Sequence, residues 1–198
     1  MIRKAWYAVC QGDSVREQPI KVTVHGQDFV IFRDSQGTLH AFHAYCPHRG
    51  CDLSLGTWDH EELQCPFHGW RFNTKGACVH IPANLRGSRA PARSALPSYP
   101  VAEHAALVWI YTLPHVEDTQ SMPEFVTFPE LNQPEWAVSF FDVTWQAHFT
   151  RVVESVLDVS HLPFVHPDTT GDVVPVVDGP ECSVRDRGIK IHPSPFAP

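Results

Sequence analysis

Through the first hundred or so residues the apolar positions come in short blocks, alternating or rich in β-branched and aromatic side chains. Trp6–Cys10 alternates, Ile20–Val24 and Phe29–Phe32 are β-branched or aromatic, and the turn Asp34-Ser35-Gln36-Gly37 leads into Leu39–His43. Trp70–Asn73, a Thr74-Lys75-Gly76 turn and Cys78–Ile81 predict a further hairpin, and Tyr99–Val101 and Ala106–Thr112 predict two more strands. Runs of this length and type, punctuated by Gly and Asp, predict an antiparallel arrangement of short strands. The fold class expected is mainly β.

The pattern then changes. Residues 114–135 are rich in proline and acids and predict a linker. Beyond them Trp136–Trp145 predicts a strand, and His148–His161 predicts a helix that Pro163 stops. From Asp168 onward Gly, Pro and Asp punctuate the chain, with strands expected at Val173–Val177 and Ile189–Ile191. The chain therefore divides into 1–113, 114–135 and 136–198.

Composition narrows the function classes. The chain has 198 residues, 43% of them hydrophobic, enough for a packed core, and a formal net charge of −7 that argues against nucleic acid or an anionic membrane as partner. The eighteen prolines fit loops and edge strands better than long helices. Met1-Ile2-Arg3-Lys4-Ala5-Trp6 has no apolar run behind its basic residues, and the longest apolar stretch, Ala105 to Tyr111, is too short to span a bilayer. A soluble, cytoplasmic protein is expected, and its six cysteines read as ligands and buried thiols rather than disulfides.

The candidate chemistry lies in two loops. Cys46-Pro47-His48-Arg49-Gly50 and Cys65-Pro66-Phe67-His68-Gly69-Trp70 form a C-x-H and a C-x-x-H with sixteen residues between them. Two thiolates and two imidazoles can hold a [2Fe-2S] cluster, with cysteines on one iron and histidines on the other. They can also hold structural zinc. Zinc arrays usually draw two cysteines from one loop or two histidines from one helix, whereas here each loop supplies one of each.

The array resembles the cluster motif of Rieske proteins, and Arg49 and Trp70 make it similar to that of the Rieske non-haem iron oxygenases. The resemblance implies that Cys46, His48, Cys65 and His68 hold the cluster. Rieske proteins of bc-type complexes add a disulfide between the loops; this chain has Cys51 at one such place but Phe67 at the other, so that bridge is not expected. High-potential members also carry Ser and Tyr hydroxyls where Trp70 and Phe72 stand here, which implies a potential in the lower part of the Rieske range of roughly −150 to +300 mV. Residues 1–113 are then a Rieske domain. The loop from Pro82 to Pro97, with Arg86, Arg89 and Arg93, reads as a solvated loop, with docking of an acidic electron donor as the alternative.

A second segment extends the resemblance. Asp158 and His161 are three residues apart on the expected helix and share a face, with Glu154 and Arg151 on earlier turns, while His166 lies past Pro163. Two histidines and a carboxylate with open positions make the ligand set of mononuclear iron(II) oxygenases. The segment resembles the D-x-x-H-x-x-x-x-H motif of Rieske oxygenase α subunits. The resemblance implies that His161 and His166 ligate a mononuclear non-haem Fe(II) and that Asp158 bridges one subunit's cluster to its neighbour's iron. Ser155 stands where the family often has Asn. The family's third ligand, a carboxylate from far along the chain, has no counterpart: Asp168, Asp172, Asp178, Glu181 and Asp186 are present, but none stands in that place.

Residues 136–198 thus read as the opening of an α+β oxygenase catalytic domain, and the chain as a shortened α subunit. The implied activity is that of a Rieske mono- or dioxygenase. A ferredoxin or flavin reductase supplies electrons, which pass from the cluster through His68 and Asp158 to the iron. The iron then activates O2 for hydroxylation or oxidative demethylation of a small organic, aromatic substrate. The family's trimeric habit implies a homotrimer. The alternative is a Rieske ferredoxin-like electron carrier with a vestigial catalytic segment.

Overall fold

The structure, a computed structural model, describes residues 4–59, 61–85, 88–114, 124–137, 139, 141–158, 160–170, 181–185 and 188–192. The chain divides into two compact units, Met1–Ser139 and Phe140–Pro198. The expected strand Val173–Val177 lies outside the described residues.

In the first unit the strands are β1 (Trp6–Gln11), β2 (Ile20–Val24), β3 (Gln27–Arg33), β4 (Leu39–His43), β5 (Thr57–Trp58) and β6 (Glu62–Gln64). They continue with β7 (Arg71–Asn73), β8 (Cys78–His80), β9 (Ser98–Tyr99), β10 (Val101–His104) and β11 (Leu107–Tyr111). These form three antiparallel sheets, ordered β1-β11-β10, β2-β3-β4-β9 and β5-β6-β7-β8. The expected strand Tyr99–Val101 is split at Pro100, whose missing N–H cannot extend a ladder.

Strand β3 organises the interior. Its residues Phe29 to Phe32 are all fully buried, so both faces of the strand are covered. Phe29 and Ile31 join Val15, Val24, Tyr99, Val108 and Ile110 in one core. Val30 and Phe32 point the other way, into a second core with Phe42, Leu53, Trp58, Leu63, Phe72 and Leu96. Cys46 and Cys65 belong to that second core, which is therefore the floor of the two Cys-Pro loops.

Turn chemistry sets the register. His25 and Gly26 have φ of 49° and 79° and connect Val24 to Gln27 as a two-residue hairpin turn. Ala105 and Ala106, at φ 52° and 57°, play the same part between His104 and Leu107. Beyond β11, Phe125 packs edge-on against Trp6 and Trp109 with ring centroids 5.0 and 5.3 Å away, and Thr127 Oγ1 lies 2.6 Å from His104 Nε2. The chain after the last strand is thus tied back onto the β1-β11-β10 sheet.

The second unit contains α1 (Phe149–Leu157), α2 (Leu162–Val165), α3 (Pro167–Thr170) and the antiparallel pair β12 (Cys182–Arg185) and β13 (Gly188–Ile191). None of its described residues is buried. Trp136–Trp145 is not a strand among the described residues: Trp136, Phe141, Val143 and Trp145 are all exposed, so no buried face rewards extended pairing. The helix expected over His148–His161 is also shorter. It ends at Leu157, with Asp158 leaving at ψ 115°, and Pro163 opens α2 instead of stopping α1, at a position where its missing N–H costs nothing. No helix among the described residues is long and apolar enough to cross a membrane.

Candidate metal centres

The two Cys-Pro segments fold into the same turn. In the first, Gly50 N–H donates to Cys46 O and Cys46 N–H donates to Cys51 O, both at 2.8 Å. In the second, Gly69 N–H donates to Cys65 O at 3.0 Å and Cys65 N–H to Trp70 O at 2.8 Å. Proline after each cysteine presets φ for the turn, and Gly50 and Gly69 close it at φ 69° and 67°, a region that favours glycine. The histidine stands at the third position of the first turn and the fourth of the second. This one-residue offset leaves His48 half-buried and His68 exposed.

The four donors divide by type. Cys46 and Cys65 are each 2% exposed and lie together in the apolar floor. Burial pushes the Cys46 thiol up to about 12. The His48 and His68 rings lie 4.6 Å apart, inclined at 66°. His48 Nδ1 is buried with no hydrogen-bond partner. Burial pushes the His48 ring below its ordinary value, helped by the charges of His68 and Arg49, so the ring is held neutral with a lone pair to offer. A buried nitrogen left unpaired costs about 1–3 kcal/mol unless a ligand engages it.

Among the described residues no three His, Cys, Asp or Glu side chains are grouped to hold one ion. A single tetrahedral zinc needs its four donors around one point. A thiol pair beside an imidazole pair fits two metals with unlike donors, as in a [2Fe-2S] group.

In the second unit His161 approaches Asp158 on one side and His166 on the other, although no single helix carries the three. Asp158 caps the end of α1 and His161 precedes α2, yet Asp158 Oδ2 lies 3.5 Å from His161 Nδ1. Asp158 Oδ1 also accepts from Ser160 N–H at 2.8 Å, which fixes the carboxylate. The His161 and His166 rings are 5.5 Å apart at 71°. Here too no third donor joins them among the described residues.

A profile of the Rieske [2Fe-2S] domain matches residues 5–100, and one of the vanillate O-demethylase oxygenase C-terminal domain matches residues 145–193. The chain belongs to the Rieske oxygenases.

Similar proteins include 4beta-methylsterol monooxygenase of Methylococcus capsulatus, 35% identical over 82% of this chain and 46% of that protein. The oxygenase component of dicamba O-demethylase from Stenotrophomonas maltophilia is 31% identical over 83% and 48% of the two chains. Among solved structures, the NdmA QL mutant of Pseudomonas putida CBB5 with theobromine superposes with a TM-score of 0.74 at 29% identity, covering 85% of this chain and 51% of that one. This Rieske oxygenase chain spans about half the length of the curated relatives it matches.

The cysteine and histidine quartet falls inside the first matched span, and Asp158, His161 and His166 fall inside the second. Sequence reasoning missed the ring that lies flat on His48. Trp70 stacks on it at 4.6 Å and 7°. The signal available was an aromatic residue directly after the glycine that closes the second turn.

Proposed function

We propose that this chain carries the cluster-binding and iron-binding parts of a Rieske-type mono- or dioxygenase that uses O2 to hydroxylate or oxidatively demethylate a small organic, aromatic substrate. The observation that carries the reading is the division of the donors into a buried thiol pair and an imidazole pair with an unpartnered His48 Nδ1. Residues 1–113 are assigned as the Rieske domain, 114–135 as the linker and 136–198 as part of the catalytic domain. The second profile match and the pairing of His161 with His166 weigh against a simple electron carrier.

Cys46, His48, Cys65 and His68 are assigned to a [2Fe-2S] cluster, and His161 and His166 to a mononuclear non-haem Fe(II). One relative of known structure, dicamba monooxygenase, is described with non-heme iron and dicamba, which supports the second assignment. When bound, the cluster stores one electron at a time and the iron offers open positions to O2 and substrate. The chain's own residues set the conditions. The apolar floor excludes water from the thiolates, and the exposed His68 gives the cluster side of the domain an edge that a donor protein can reach. Asp158 faces His161 Nδ1 and so orients that ring, leaving its other nitrogen for metal, as carboxylates do behind ligating histidines.

A ferredoxin or flavin reductase as electron donor, a homotrimeric assembly and a cytoplasmic location complete the proposal. Iron and sulfide analysis with EPR of the anaerobically purified chain tests it. Rhombic reduced-state resonances with about three irons per chain are expected. About two irons per chain would favour the carrier, and a colourless protein holding zinc would overturn both.

A further inference from the structure

We infer that Trp70 is a positioning residue for the candidate cluster, its indole fixing the plane of the His48 imidazole so that His48 and His68 act as unlike ligands. The inference rests on the cluster reading of the quartet.

Three observations carry it. The Trp70 and His48 rings are parallel within 7° at a centroid distance of 4.6 Å, whereas His68 meets the exposed Phe67 ring tilted by 42°. Trp70 is itself held fast: its carbonyl closes the second turn by accepting from Cys65 N–H, and its side chain packs on the core that contains both cysteines. Finally, His48 Nδ1 is buried without a hydrogen-bond partner and is left for the metal, so packing against Trp70 sets the plane of the ring. Metal-bound histidines are usually oriented by an outer hydrogen bond. Here a stacked indole takes that part for one histidine, while the other lies at the surface.

The stack has an electronic consequence as well as a steric one. The face of an indole attracts positive charge, and an imidazole on oxidised metal is more electron-poor than on reduced metal. Trp70 therefore favours the oxidised state. Removing the ring should raise the one-electron reduction constant by about two- to fivefold, the size of an exposed cation–π contact.

The test uses the full 198-residue chain with its cluster, comparing Trp70→Leu, Trp70→Phe and Phe67→Leu with wild type. Reduced-state EPR, nitrogen ENDOR, redox titration and iron and sulfide content are measured on each. The expected result is a displaced g tensor, altered coupling of one nitrogen and a raised reduction constant in Trp70→Leu at wild-type iron content. A smaller change of the same sign is expected in Trp70→Phe, and none in Phe67→Leu. A loaded Trp70→Leu indistinguishable from wild type overturns the inference, as does an equal change in Phe67→Leu. Should Trp70→Leu fail to load, Trp70→Phe decides: a displaced g tensor supports the role and an unchanged one overturns it. Wild-type protein without a rhombic signal would sink the cluster reading, and the role of Trp70 with it. A rhombic wild type with unmoved variants sinks the role of Trp70 alone.

Discussion

Lys21 Nζ lies 2.6 Å from Asp52 Oδ2, which ties strand β2 to the exit of the first Cys-Pro turn. The aspartate has further duties there. Its other oxygen accepts from Ser54 N–H at 3.0 Å and Ser54 Oγ at 2.7 Å, capping the short turn Leu53–Leu55. Lys21 also sits 6.0 Å from the centroid of the Tyr45 ring, and Tyr45 donates to Asp28 on β3. One polar face of the β2–β3 hairpin thus grips both ends of the turn that bears Cys46 and His48. Asp52→Ala should cost on the order of 1 kcal/mol for the lost cap and should speed iron release to a chelator. Lys21→Met should speed release less, because the cap survives. Urea unfolding and chelator kinetics check both.

The two closing glycines should not be equally replaceable. Gly50 sits at φ 69° with open space where a Cβ would stand, so Gly50→Ala bears only the cost of left-handed backbone, about 1–2 kcal/mol. At Gly69, φ 67°, the added Cβ would also stand 3.1 Å from Pro82 Cγ, within a ring that has little freedom to move. Gly69→Ala should therefore lose more stability than Gly50→Ala, as well as more iron on purification. Equal losses in urea midpoint would contradict the difference.

The opposite sign is expected at the β10–β11 hairpin. Ala105 and Ala106 hold φ of 52° and 57°, and Ala106 is exposed, so its methyl group contributes little packing. Ala106→Gly relieves left-handed strain and loses some chain entropy, for a net gain of about 0.5–1 kcal/mol. A rise in the denaturation midpoint at unchanged m-value is the measurement.

How far the sequence led depends on where the information sits. Ile20–Val24 and Leu39–His43 form as read because side-chain pattern and flanking turn residues agree locally. Strands β5 and β6 escaped notice. They have two and three residues, and they exist because Trp58 and Leu63 fill a core assembled from distant segments. Trp136–Trp145 has strand composition but pairs with no strand among the described residues, and periodicity cannot report that. The Cys-Pro turns were legible because donor, proline and glycine lie within five or six consecutive residues. Which histidine is shielded was not, since that depends on Trp70 lying back across the other loop. Asp158 and His161 were expected on one face of a single helix; they approach to 3.5 Å across a break between two helices instead.

Acid should loosen the β3–β4 connection first through Asp34. Its carboxylate contacts His40 Nε2 at 2.9 Å and accepts the N–H groups of Gln36 and Thr38, each at 2.9 Å. The hydrogen bond to His40, followed by those from the backbone, holds the Asp34 carboxyl below its ordinary value against the opposing effect of burial. A depressed folded value means a contribution that is fully present above the unfolded value, about 3.9, and is lost as pH falls through the folded value. Stability should therefore decline from roughly pH 4 downward. Asp34→Asn should flatten part of that decline, leaving the part due to Asp28, Asp52 and Asp59, which are also held low. If Asp34 had no such role, urea midpoints from neutral pH to about pH 3 would fall as steeply in Asp34→Asn as in wild type.

Because β3 is buried on both faces, two of its phenylalanines offer a matched pair. Phe29 and Phe32 are both fully buried, and truncation of either to alanine should cost about 3–5 kcal/mol. They differ in what they support. Phe32 packs in the core that contains Cys46 and Cys65, with Trp58 at a ring distance of 4.3 Å and Phe42 at 5.3 Å. Phe29 packs in the other core, against Tyr99 at 4.7 Å. Phe32→Ala should therefore leave room beneath the thiols, broaden the reduced-state EPR signal and hasten iron loss at temperatures where the protein is still folded. Phe29→Ala, at matched loss of stability, should leave the spectrum as in wild type. If the two variants lose iron at the same rate at equal distance below their midpoints, the second core is not the floor of the metal site, and the cysteines are held by their turns alone.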